Sequence, residues 1–184
     1  MKLLYFKPFV LMLGFAGTLS LGAAEWATVG IGSGADLTIK PGDDTRAIYQ
    51  DWQKEPKKYV LANRPVSDEW ETLAFSVTPE KDTSLSINLQ PNPKTAILFD
   101  DVRVNGNPLS NGSFETWSGG HLTNWNKIQW NASALTPSEE AADGKFSAKL
   151  MAPCYVEQRI NAKANTEYTI SVKVKLPNKE AAAE

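Results

Sequence analysis

Hydrophobic and polar positions alternate with period two along most of the chain after residue 25. Tyr168, Ile170, Val172, Val174 and Leu176 alternate with Thr169, Ser171, Lys173 and Lys175. Such a segment turns one face to a core and the other to water, as a β-strand does. The same rhythm runs through Leu73, Phe75 and Val77, through Leu85, Ile87 and Leu89, and through Phe146, Ala148 and Leu150. Ile97-Leu98-Phe99 opens a further strand that runs to Val104. Turn signals separate these runs: Pro41-Gly42-Asp43-Asp44, Pro79-Glu80-Lys81-Asp82, Asn105-Gly106-Asn107-Pro108, Ser118-Gly119-Gly120 and Ala142-Asp143-Gly144-Lys145. Many short strands at this spacing predict an all-β chain folded as a β-sandwich or jelly roll. No long amphipathic helix is predicted; Ser138 to Ala142 would make one helical turn, and the tail from Asn178 to Glu184 would fray.

The first 24 residues break the rhythm and read as an export signal. Lys2 and Lys7 give a positive start, Phe9 to Leu21 an apolar core, and Gly22-Ala23-Ala24 the small residues of a cleavage site. The apolar run is shorter than the roughly 20 residues of a membrane-spanning helix. The protein is therefore expected to be secreted or periplasmic, with no membrane association once the signal is removed. The remaining 25–184, about 160 residues, suit one domain that needs no covalent staples. The one cysteine, Cys154, allows no internal disulfide and reads as a small buried residue. The formal charge of −2, with acids and bases interspersed, offers no footprint for nucleic acid.

Two sets of short motifs change the picture. Leu109-Ser110-Asn111-Gly112-Ser113-Phe114-Glu115, followed by Leu122-Thr123-Asn124-Trp125, resembles the opening of carbohydrate-binding modules of the family four, nine and twenty-two type. Glu69-Trp70-Glu71-Thr72-Leu73 through Ile97-Leu98-Phe99-Asp100-Asp101-Val102 resembles the closing half of the same modules, yet it comes first. Residues 25–104 match the family's C-terminal half and 109–178 its N-terminal half. The resemblance implies one galactose-binding-domain-like jelly roll in circularly permuted order, with Leu176 and Trp26 at the old junction. New ends of this kind are tolerated where the termini of a compact domain lie close together. A monomer is favoured over a dimer that exchanges halves.

The resemblance also implies a structural calcium ion at positions matching Asp100, Glu115 and Asp143. Carboxylates with backbone carbonyls suit Ca²⁺, which takes six to eight oxygens. Strand parity groups Asp100 with Leu98, Val102 and Val104 and points it inward, where a bare carboxylate is unfavourable unless paired. The alternative is that Asp100 accepts backbone N–H bonds at a strand crossing while Glu115 and Asp143 are solvated.

For sugar, the resemblance implies stacking aromatics at Tyr155 and Tyr49, with Trp52 close by. Parity places Tyr155, Glu157 and Arg159 on one face, Tyr49 with Asp51, and Asn88 with Gln90. Rings stack on the CH faces of a sugar, and amides, carboxylates and guanidinium groups read its hydroxyls. Exposed strand tyrosines can equally serve as cross-strand packing. Gln158 falls on the apolar parity and requires a bulge or a backbone hydrogen bond. Trp70 and Trp125 are expected in the core. Trp117 and Trp130 flank the loop of His121, as a platform or as a cover for one end of the sandwich. No nucleophile elbow or ligand cluster supports catalysis. The sequence thus predicts a noncatalytic module that holds a polysaccharide or glycan in a shallow groove on the concave sheet. The alternative is a structural or adhesive β-sandwich with no sugar site.

Overall fold

The computed structural model describes residues 25–49, 58–91, 95–128 and 134–178, with the side chains of residues 48, 49, 127 and 128 outside the description. Fifteen strands follow one another among them: β1 (Glu25–Ser33), β2 (Leu37–Pro41), β3 (Arg46–Tyr49), β4 (Tyr59–Val66), β5 (Glu71–Pro79), β6 (Thr83–Gln90), β7 (Ile97–Val104), β8 (Asn107–Pro108), β9 (Trp117–Ser118), β10 (His121–Leu122), β11 (Asn126–Ile128), β12 (Leu135–Ser138), β13 (Ser147–Leu150), β14 (Tyr155–Ala162) and β15 (Tyr168–Lys175). The period-two segments form strands as expected because alternation lets each bury one face. Residues 139–142 after β12 form no helical turn; their backbone is irregular, and Ala142 N reaches Asp100.

The chain is an all-β sandwich. A six-stranded sheet has the order β11-β14-β6-β1-β4-β3, and a second sheet has the order β12-β13-β7-β15-β5-β2, with β8 added to β7. All the pairs in both sheets are antiparallel. Between the sheets lie Val29, Ile31, Leu73, Phe75, Leu85, Ile87, Phe99, Leu150, Ile170 and Val172, all at most 2 % exposed. Each such side chain contributes roughly 1.5–3 kcal/mol by leaving water.

The two halves of the sequence cannot be separated in this arrangement. β15 from the second half lies between β7 and β5 of the first, and β14 pairs with β6. Without the second half, β5, β6 and β7 would each lose a hydrogen-bonded neighbour, and the shared core would be open. The ends of the two halves also meet. Glu25 pairs with Val66, and the next residue, Ser67, accepts the N–H of Leu176 at 2.7 Å. At the other junction, Asn105 and Gly106 adopt φ values of 51° and 77° and close a two-residue hairpin between β7 and β8. Asn-Gly suits such a turn because both positions need positive φ.

The Asn-Gly-Ser-Phe-Glu motif is a structural knot. Asn111 sits at φ 50°; its side-chain amide donates to Thr116 O and Thr123 O and accepts from Thr116 N. Gly112 passes so close to β7 that a Cβ would lie 2.5 Å from Val102 O. Phe114 enters the core and meets Trp125, ring centroids 5.3 Å apart, while the Trp125 indole donates to Asn111 O. Trp125 is a core residue as expected, but Trp70 is only half-buried. Trp117 packs against the core and donates to Phe114 O, so it covers an end of the sandwich.

Candidate functional site: the outer face of the six-stranded sheet

Register across the six-stranded sheet sets out the face turned away from the core in rows. One row runs Arg159, Ser86, Gly32, Tyr59. The next runs Asn126, Glu157, Asn88, Gly30, Leu61. A third holds Gln90, Thr28, Asn63 and Arg46, with Tyr155 paired to Ile128 on the far side. Tyr155, Glu157, Arg159, Asn88 and Gln90 are thus brought to one face, as their parity suggested.

The centre of this face is a strip without side chains. Gly30 and Gly32 occupy successive outward positions of β1, so the strand leaves a trough there. Tyr59 on the neighbouring strand fills it. A Cβ on Gly32 would lie 3.5 Å from Cδ2 of Tyr59, and a Cβ on Gly30 would collide with its hydroxyl and lie 3.0 Å from Cζ. The Tyr59 side chain therefore reaches along β1 from Gly32 to Gly30. Its hydroxyl accepts a 2.6 Å bond from Gln90 Nε2. Burial pushes the Tyr59 phenol above its ordinary value; the Gln90 bond opposes this, and Tyr155 and Glu157 nearby add to it. Tyr59, Gln90 and Tyr155 also line one pocket of about 250 Å³, closed by Pro91 and by Ala152 to Cys154.

Polar groups beside the ring are held in place. Glu157 accepts from Ser86 Oγ at 2.6 Å and from Arg159 Nη2 at 3.0 Å. Asn88, 4 % exposed, donates its amide hydrogens to Gly30 O and to Ser86 O and Oγ. Beyond them a pocket of about 340 Å³ is lined by Gly32 to Gly34, Thr83, Ser84, Ser86 and Arg159. Gln158, on the core-facing parity, resolves its polarity by donating to Ser110 O and Asn124 O, both at 2.9 Å.

Sequence reasoning missed Tyr59. Two signals could have found it: Tyr59, Leu61 and Asn63 alternate with the small apolar Val60 and Ala62, and glycines two apart on a strand leave room for a ring. Tyr49 pairs in register with Val60, a core-facing position, while Ile48 pairs with Leu61 on the outer row. The side chain of Tyr49, with Asp51, Trp52 and Trp130, lies outside the described residues.

Asp100 and Glu115 hold the turn that carries Asp143 at a different place, on the outside of the seven-stranded sheet, without bringing the three carboxylates together. The inward parity assigned to Asp100 requires correction. A register shift between β7 and β15 inserts an extra residue at Asp101, which sits at φ 46°. Such a bulge reverses the side on which successive residues fall. Before it, Asp100 pairs with Lys173 and Leu98 with Lys175, both on the outer side; after it, Val102 faces the core. Asp100 is nonetheless 0 % exposed, because the 140–146 segment folds over it. Its Oδ2 accepts from Ala142 N at 2.7 Å and Asp143 N at 3.0 Å, and its Oδ1 from Asp101 N at 2.7 Å. Burial pushes the Asp100 carboxyl up to about 6, against the pull of these three donors. Glu115 Oε1 accepts from Lys145 N and Phe146 N, each at 2.8 Å. Glu115 is exposed and at the same time clamps this turn. Lys175 and Glu140 complete the cover with a 3.0 Å ion pair.

Calcium requires oxygens converging on the cation. Here the Asp100 oxygens and Glu115 Oε1 face backbone N–H groups, whose positive ends stand where a cation would. Among the described residues no group of three or more His, Cys, Asp or Glu converges on a common point. As arranged, this turn does not fit a calcium ion, and the carboxylates hold it by hydrogen bonds.

Comparison with models of known families, with characterised proteins and with solved structures finds no match to this chain.

Proposed function

We propose that this protein is a noncatalytic carbohydrate-binding module, exported from the cytoplasm, that holds a polysaccharide or glycan against the outer face of its six-stranded sheet. The observation that carries this reading is the Tyr59 ring laid along the Gly30–Gly32 trough, beside Tyr155, Gln90, Asn88 and Glu157. A half-exposed aromatic ring is a platform for the CH face of a pyranose, and neighbouring side chains already fixed by hydrogen bonds read its hydroxyls without losing further side-chain entropy. Tyr155 extends the stack at one end, and the hydroxyl-lined pocket at Arg159 receives the sugar beyond it. Binding is weak because the groove is shallow and wet. The permuted order of the two halves belongs to the same reading, and it is supported by Leu176 and Glu25 both meeting the Val66–Ser67 backbone and by the hairpin at Asn105–Gly106.

Affinity electrophoresis on plant, mucin and bacterial glycans tests the proposal. Retardation by at least one of them, lessened about fivefold in Kd by Tyr155→Ala, is the expected result, since one ring in a stacking contact contributes about 1 kcal/mol. Unretarded migration on every glycan would leave a structural or adhesive sandwich as the better reading.

A further inference from the structure

We infer that the Glu157–Arg159 ion pair is a specificity determinant that keeps charged glycans of either sign off this face; the inference rests on the sugar-binding reading above. Glu157 stands in the central row, paired across the sheet with Asn88 and through it with Gly30. Its side chain is 13 % exposed, whereas that of Arg159 is 65 % exposed. Each carboxylate oxygen already has a donor from the protein: Ser86 Oγ on Oε2 and Arg159 Nη2 on Oε1. Asn88 has spent its amide hydrogens on Gly30 O and Ser86. The centre of the face therefore offers lone pairs, from Glu157 and Asn88 Oδ1, to a ligand that brings hydroxyl hydrogens.

The charge at this point is cancelled. A uronate or sulfate would face the Glu157 carboxylate and the Asn88 oxygen, and among the described residues of the neighbouring rows the guanidinium that could compensate is that of Arg159, already paired with Glu157. An ammonium of an amino sugar would face a carboxylate already neutralised and the Arg159 charge beside it. An uncharged sugar meets neither penalty. Arg46, also on this face, does not alter the balance. Its guanidinium lies 5.0 Å over the Trp26 ring, four strands from Glu157. That is about 19 Å at the usual strand spacing, and beyond the screening length of roughly 8–10 Å at physiological salt.

Removing either partner should open the site to one sign of charge. The test compares the whole mature protein with Glu157→Gln, Arg159→Gln and the double variant. The probes are galactomannan, laminarin and xyloglucan as neutral glycans, alginate and polygalacturonate as uronates, and chitosan oligosaccharides as amino sugars. The wild type is expected to bind among the neutral glycans, insensitively to salt, and to leave both charged classes alone. Glu157→Gln should gain about fivefold or more for the uronates, lost at high salt, and Arg159→Gln a similar gain for chitosan oligosaccharides. The double variant should show neither gain. A purely structural pair would weaken all binding together and produce no reciprocal gain. A wild type that prefers alginate or chitosan, or single variants without opposite gains, would overturn the inference while leaving the sugar site standing. No binding of any probe or glycan would overturn both. Melting curves check folding, and the exposed Arg159 makes its variant decisive if Glu157→Gln does not fold.

Discussion

The two outer faces of this sandwich are built from the same alternation and differ in what they do with it. The outward row of the seven-stranded sheet is Ser, Thr and Lys. Lys40, Ser76 and Thr169 stand side by side across three strands, and the hydroxyls of Ser76 and Thr169 meet at 2.9 Å. Leu98 and Asp100 on that face are buried, and the 140–146 segment folds over Asp100. The outward face of the six-stranded sheet carries glycines, tyrosines, amides and an ion pair, and among the described residues no strand lies over its centre. One face is partly covered by the chain itself; the other is the face on which sugar binding is proposed. Both sheets alternate with the same period, so the two faces differ only in which outward residues they carry and what covers them.

Substitutions can break that contrast from either side. The largest effect on stability is expected at the closed face. Asp100→Ala would leave three backbone N–H groups without their acceptor and should destabilise the fold by about 3 kcal/mol, seen as a lowered Tm, with glycan binding unchanged. The largest effect on binding is expected at the open face. Tyr59→Ala should weaken glycan affinity about tenfold in titration while shifting Tm little, because the ring rests on the surface of β1. Gly30→Ala is a finer instrument: its Cβ would lift the phenol off the trough without deleting it, and a fall in affinity of about threefold is expected.

The acid response sharpens the comparison further. The folded-state pKa of Asp100, about 6, lies above its ordinary 3.8, so the folded protein binds that proton more tightly than the unfolded chain. The stability this proton contributes is complete below about 4 and is lost as the pH rises through 6. Tm should therefore fall between pH 4.5 and 7, and Asp100→Asn should flatten that slope. The smallest effect expected is that of calcium. With both Asp100 oxygens and Glu115 Oε1 taken up by N–H donors, millimolar calcium and its chelation should leave Tm unchanged. A rise that chelator abolishes would return the ion to this turn.

The sequence displays its fold through period two and through turns such as Asn105-Gly106, where one local rule decides the geometry. It displays the open face nearly as well, because Glu157, Arg159, Asn88 and Gln90 need only strand parity to be grouped. Parity fails where the ladder slips. No local signal marks Asp101 as the extra residue of a bulge, so Asp100 reads as core-facing although it lies under a loop. Which strand neighbours which is likewise not local. Tyr59 matters only because β4 lies beside β1 and its glycines, and that adjacency links residues about 30 positions apart.

The most direct measurement is an amide chemical-shift map of the mature protein titrated with a glycan that retards it. Sugar bound at the proposed face should shift Gly30, Gly32, Ser86, Asn88, Glu157 and Tyr59, with no shift at Ser76, Thr169 or Lys173. Shifts concentrated on the Ser, Thr and Lys rows, or at a sheet edge with Gly30 and Gly32 silent, would contradict that placement.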